Sequence, residues 1–267
     1  MIDGALPYLR CPVCGDTLAR PDDRTLRCPR RHSFDLARQG YATLTAGRTP
    51  HAGDTAEMVA DRADFLAAGH YDFVVEALTP AVRLPAGLVL DAGTGTGHYL
   101  ARLLDACPGA VGLGLDVSKP ALRRAARAHP RAGAALADLW QPLPVADASV
   151  SLLLDVFAPR NGPEFRRVLR PDGVLAVVTP APDHLAELIA AHDLITVDPG
   201  KAERVAGALG TDFTLESTAT HRRTLDLTAA EARTLVGMTP SARHVPLDGI
   251  AARKVTAAVD VALYRPV

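Results

Sequence analysis

The chain has 267 residues, 48% hydrophobic and 22% charged, which suits a packed core and argues against disorder. A formal net charge of −1 excludes an overall basic coat for nucleic acid, though not a local basic patch. No run approaches the roughly 18 apolar residues of a membrane span, and residues 1–10 lack the cationic flank and apolar block of a secretory signal, so a cytoplasmic, reducing setting is expected.

Residues 1–45 read as short, turn-rich segments punctuated by Pro12, Gly15, Pro21 and Pro29. A polar linker from Gly47 to Gly53, containing Pro50, follows. Asp54 and Glu57 have the spacing of a capping box, opening a helix to about Ala68 that stops at Gly69. From Gly87 strands and helices alternate. Strands are expected at Leu88–Leu90, Val111–Leu115, Ser149–Val156 and Val174–Thr179. Helices are expected after Gly97, over Ser118–Ala128, over Pro163–Leu169 and over Asp183–Ala191. This alternation predicts an α/β fold with a mostly parallel sheet covered on both faces. Phe213–Thr220 and Ala257–Tyr264 alternate like strands and are expected to form an antiparallel edge pair. The division is therefore residues 1–45, a linker and helix at 46–84, and the α/β domain at 85–267.

Three of the four cysteines fall in the first 28 residues. The pattern is Cys11-x2-Cys14, thirteen residues, then Cys28-x3-His32. Thiolates and a neutral imidazole at this spacing suit tetrahedral Zn²⁺. A redox pair or buried free thiols are the alternatives, but a redox pair belongs after a strand in a βαβ unit and this one does not. All four positions are protein ligands, so the metal would be structural. A segment of 45 residues needs such a staple.

Leu88-Val89-Leu90-Asp91-Ala92-Gly93-Thr94-Gly95-Thr96-Gly97 reads as strand, glycine turn and helix start. Glycines permit the sharp turn and close approach of a ligand, and the helix terminus offers free amides. The GxGxG spacing is neither the dinucleotide GxGxxG nor a P-loop. Asp116 ends the next strand, 25 residues after Asp91, where a carboxylate can bind both hydroxyls of a ribose.

This combination resembles the cofactor loop of class I S-adenosylmethionine (SAM) methyltransferases. The resemblance implies a Rossmann-like fold with Asp91 organising the methionine end against the Gly93 turn, Asp116 holding ribose and Asp138 meeting the adenine amine. Longer segments resemble one family. Cys11-Pro12-Val13-Cys14, Cys28 through Asp35, Gln39-Gly40-Tyr41, Gly53 through Met58 and Ala68-Gly69-His70-Tyr71 are similar to the large-subunit (23S) rRNA guanine-N1-methyltransferases. So are Leu115 through Pro120, Phe157-Ala158-Pro159-Arg160-Asn161, Thr179 through Leu185 and Met238-Thr239-Pro240. The arrangement looks most like the branch linked to tylosin and mycinamicin resistance.

That resemblance implies methyl transfer from SAM to N1 of a guanine in a 23S rRNA hairpin, an antibiotic-resistance role for that branch, and a homodimer. It implies zinc on Cys11, Cys14, Cys28 and His32 in an RNA-recognition module, and SAM contacts at Tyr71, Gly95, Thr96 and His184. Guanine N1 carries a proton near neutrality, so a group must accept it or stabilise the anion. Asp155, Arg160, Asn161 and His184 are candidates near the sheet's mouth, and none has the spacing of a known acid–base pair. Residues 1–48 carry a net +3 and residues 119–170 a net +5, local basic character that fits RNA. Arg30 and Arg31 of the metal module are the favoured contacts. Phe34 and Tyr41 are expected in its small core, with a role as stacking platforms the alternative. The alternative acceptor is a small natural-product molecule, which would want a closed apolar pocket and no metal module.

Overall fold

The computed structural model describes residues 2–47, 51–82, 86–198 and 200–267. Pro50, and residues 84 and 85 at the second boundary expected from sequence, lie outside the described residues. A short helix α1 (Ile2–Ala5) precedes a three-stranded antiparallel ribbon of β1 (Ala19–Asp22), β2 (Thr25–Arg27) and β3 (Ser33–Asp35). β4 (Ala42–Thr43) leaves the ribbon. Helices α2 (Ala56–Ala67) and α3 (Asp72–Ala81) lead into β5 (Gly87–Ala92). Then come α4 (His98–Ala106), β6 (Ala110–Asp116), α5 (Lys119–Ala125), β7 (Ala132–Leu136) and β8 (Val150–Val156). The chain continues through α6 (Gly162–Val168), β9 (Leu169–Pro180), α7 (Ala186–His192), α8 (Lys201–Leu209), β10 (Phe213–Leu227), α9 (Ala229–Gly237) and β11 (Arg253–Pro266).

Eight strands form one sheet in the order β10-β11-β9-β8-β5-β6-β7-β4. The run from β9 to β4 is parallel, and β11 and β10 add the antiparallel edge expected from their alternation. β7 and β8 are buried at every position, as aliphatic strands covered on both faces must be. One apolar cluster joins α2, α3, α4 and α9 to one face of the sheet, through residues such as Phe65, Leu78, Leu103 and Leu235. The other runs from Leu88, Leu153 and Phe165 into Leu9, Leu26 and Phe34 of the amino-terminal segment.

That second cluster shows how the metal segment is mounted. Leu9 bridges Val145, the Arg10 amide donates to Pro144, and β4 pairs with β7 as the sheet's outer strand. Phe34 is buried in that core, as expected, whereas Tyr41 is buried outside it, against Leu122 and Ala125 of the helix after β6. The α2 cap differs from expectation by one residue. Thr55 accepts from the Met58 amide at 3.3 Å, while the Asp54 carboxylate, at 2.6 Å, is taken by Arg62. The helix expected at 183–191 starts later, because Leu185 takes a left-handed conformation at φ 56°. No helix among the described residues is long and apolar enough to cross a membrane.

Candidate functional site

Two tight turns build the metal centre. The Gly15 amide donates to Cys11 at 2.8 Å and the Arg31 amide to Cys28 at 2.9 Å. Both closing residues take positive φ, 74° at Gly15 and 69° at Arg31. The turns face each other and bring the donor atoms of Cys11, Cys14, Cys28 and His32 within 4.8 Å of one another. Tetrahedral zinc with bonds of about 2.3 Å to sulfur and about 2.0 Å to nitrogen sets S···S edges of about 3.8 Å and S···N edges of about 3.5 Å. Cys14 and Cys28 sulfurs stand 3.7 Å apart. His32 Nδ1 lies 3.6 Å from Cys11 and 3.4 Å from Cys28. The donor set therefore fits zinc, and with four protein ligands it leaves no open position for chemistry.

The second site is a cleft of about 440 Å³, counted out to its mouth, at the carboxyl ends of β5 and β8. The Gly93 and Thr94 amides donate to the Leu115 carbonyl, both at 2.9 Å, which folds the loop back over β6. Gly93, Gly95 and Gly97 all sit at positive φ, 79°, 54° and 80°. At Gly93 and Gly97 an added Cβ would collide with the fold, 2.5 Å from Ala158 and 3.0 Å from Ala125. At Gly95 it would meet only the Arg62 side chain at 3.7 Å, so this glycine faces open cleft.

Tyr71, Asp91, Gly93, Gly95 and Thr96 are brought together as cleft walls. Asp91 is buried and accepts from the Thr94 hydroxyl at 2.7 Å. Burial pushes its carboxyl up to about 7, with the hydroxyl bond opposing and Asp116 adding to the rise. Asp116 accepts the amides of Gly95 and Ser118, each at 2.8 Å, and burial raises it too. Asp116, Asp138 and His184 are not cleft walls. Asp138 is buried, 2.8 Å from His51 Nδ1 and 3.0 Å from the Trp140 amide. His184 stands behind Tyr71, its Nε2 3.3 Å from the hydroxyl, while its Nδ1 accepts the Ala258 amide at 3.1 Å. Burial lowers the imidazole to about 4, so it is neutral, and the Nδ1 contact puts its proton on Nε2, toward Tyr71.

The other sequence candidates hold the loop after β8. Asp155 is wholly buried, and Arg160, tucked in at 10% side-chain exposure, lies 3.3 Å from it. Burial holds the Asp155 carboxyl well above the usual range, with Arg160 opposing. Asn161 donates to the Leu139 carbonyl at 2.8 Å. Sequence reasoning named none of Arg62, His98, Tyr99 and Met238 as cleft residues. Arg62 binds Asp54 and the Met238 carbonyl, yet its buried Nε has no hydrogen-bond partner. A cation inside the capped helix was the available signal. Met238 belongs to a motif noted for resemblance alone.

A glycine cradle with an open Cβ direction, two acids at adjacent strand ends, and a buried Nε of Arg62 without a hydrogen-bond partner suit a zwitterionic nucleoside. Fold and sites define a SAM-dependent methyltransferase carrying a zinc ribbon. A family profile described as RlmA, N-terminal, matches residues 9–45, and one described as methyltransferase domain matches residues 89–173. Solved structures agree on the fold. The YcgJ protein of Bacillus has a TM-score of 0.52 at 14% identity, covering 73% of this chain and 98% of its own. A methyltransferase solved with the Trm112 activator of Haloferax volcanii has 0.54 at 16%, covering 80% and 98%.

A protein of Micromonospora griseorubida assigned as a 23S rRNA (guanine-N1)-methyltransferase is 56% identical over 98% of both chains. The 23S rRNA (guanine(748)-N1)-methyltransferase of Streptomyces fradiae is 47% identical over 97% of both, and YxjB of Bacillus subtilis 30% over 94% and 93%. The chain belongs to the 23S rRNA (guanine-N1)-methyltransferase family.

Proposed function

We propose that this chain moves the methyl group of SAM to N1 of a guanine in a 23S rRNA hairpin, with the donor in the cleft and the ribbon helping to hold the RNA. The observation that carries this reading is the presence of a zinc-fitting cluster and an intact glycine cradle on one chain that aligns end to end with such enzymes. SAM supplies an activated methyl on a sulfonium, so the protein's work is placement and management of one proton.

In this reading the Asp91 carboxylate receives the donor's ammonium and Arg62 its carboxylate. The amides of the Gly93–Gly97 turn approach its backbone, and Asp116 keeps free lone pairs for the ribose hydroxyls. Tyr71 accepts from His184 and keeps its own hydroxyl proton to donate into the cleft. Burial raises that hydroxyl's pKa, so it stays protonated. The adenine amine would meet Asp138 once His51 yields the carboxylate. RNA phosphates would meet Arg30 in the ribbon and the exposed Arg123 and Arg124 of α5, against which Tyr41 packs, with exposed Arg127 just beyond it. The target lies in the cytoplasm with the ribosome, and the reading includes a homodimer, which sedimentation of the purified chain checks.

The acidity of Asp91 gives a pH prediction. With a carboxyl at about 7, donor affinity rises as the group ionises, about tenfold between pH 6 and pH 7.5. Calorimetric titration checks this, and Asp91→Asn should give weak, flat affinity. Stability of the free protein runs oppositely. The folded carboxyl holds its proton more tightly than the unfolded one, so this contribution is full below about 4 and is lost as pH rises through about 7.

The reading is tested by incubating hairpin RNA with enzyme and SAM and extending a primer over it. N1 methylation blocks pairing, so reverse transcriptase should halt at one guanine. Read-through at every guanine, with the label found elsewhere or nowhere, would overturn it.

A further inference from the structure

Five of the six phenylalanines are buried, each less than 9% exposed. Phe157 is 37% exposed and forms part of the cleft wall beside Val156. Its backbone sits at φ 54°, a left-handed conformation that costs a bulky residue about 1–2 kcal/mol. Three contacts impose it. The Phe157 amide donates to Val178 at 3.0 Å, Arg160 pairs with buried Asp155, and Asn161 ties the loop to Leu139. The ring is thereby turned toward the open cleft, its centroid 6.4 Å from Tyr71 and 6.1 Å from His184. Trp140 is also exposed, at 52%, but it stands outside the cleft, 6.3 Å from the His51 ring.

Resting on the reading above, we propose that Phe157 is the face on which the acceptor guanine stacks beside the methyl donor. A guanine offering N1 has left its pair and its stack, and an aromatic face restores the lost stacking without needing a matched hydrogen bond. The ring meets Tyr71 and His184 on one side and leaves the rest of its surface open to the cleft. Phe157 lies at the carboxyl end of β8, on the same cleft as Gly95 and Tyr71, so a base on its ring adjoins the cradle.

The test compares Phe157→Leu, Phe157→Tyr and Phe157→Gly with wild type. Leucine keeps the bulk, tyrosine keeps the aromatic face, and glycine removes the ring while relaxing the backbone strain at φ 54°, with a melting curve checking that each variant is folded. Stacking on one base predicts that the leucine and glycine variants lose about 10- to 100-fold in kcat/KM for hairpin RNA. The tyrosine variant should stay within about threefold of wild type, and SAM affinity within about threefold in all. Leucine and glycine variants as active as wild type, a tyrosine variant as poor as leucine, or SAM affinity falling with activity would each overturn the assignment. A wild-type enzyme that leaves every RNA unmethylated would overturn the underlying reading and this assignment with it.

Discussion

Gly95→Ala is expected to fold normally and to lose SAM. Gly95 has φ 54°, so alanine pays about 1–2 kcal/mol of backbone strain there. Its Cβ meets only the Arg62 side chain, at 3.7 Å, an ordinary contact. The new methyl group therefore occupies cleft space and not core space. Overpacking against a bound ligand should weaken SAM about 10- to 100-fold, with Tm lowered only a few degrees. Gly93→Ala is the contrast. There the Cβ would come 2.5 Å from Ala158, and the expected loss is in folding itself. Melting curves and calorimetric titrations of the two variants separate the effects. A Gly95→Ala protein that binds SAM as wild type does would remove the donor from this turn.

Replacing Cys11 and Cys14 with Ser should release zinc, melt the ribbon and abolish methylation of hairpin RNA, while SAM affinity stays within about threefold. Structural zinc sites in small peptides contribute about 10–16 kcal/mol, against the about 5–15 kcal/mol that holds a whole domain folded. The ribbon cannot survive that loss. The cleft can, because none of its walls comes from residues 2–47. The sheet will still feel the change. Leu9, Leu26 and Phe34 share an apolar cluster with Leu139 and Val145, so a fall in Tm of about 5–10 °C is expected. Metal analysis should find one zinc per wild-type chain, and limited proteolysis should cut the variant within residues 9–35. SAM affinity falling in step with zinc would make ribbon and sheet one cooperative unit.

The sequence carried the two sites further than it carried their support. The zinc ligands follow from spacing because a four-donor cation forces two short turns, and both turns are present at Gly15 and Arg31. The glycine cradle follows because only glycine tolerates three positive φ values in five residues beside a strand end. The antiparallel edge was legible from alternation in β10 and β11. What stayed hidden was non-local. β4 is two residues long and has no period to read, yet it closes the sheet's edge. Asp138 meets His51 across 87 residues and His184 meets Tyr71 across 113, so neither partnership has a local signal. Pro80 sits inside α3, where it cannot donate to the i−4 carbonyl, so the sequence pattern there does not read as a helix. The strained ring of Phe157 depends on ties to β9 and to the loop after β7, which no spacing reports.

Crystals grown with SAM give the most direct test of where the donor sits. The expected electron density lies along Gly93–Gly97, with the ribose against Asp116 and the sulfonium methyl directed into the open space over the face of the Phe157 ring. Density for the donor at any other surface, with this crevice filled only by solvent, would contradict the account.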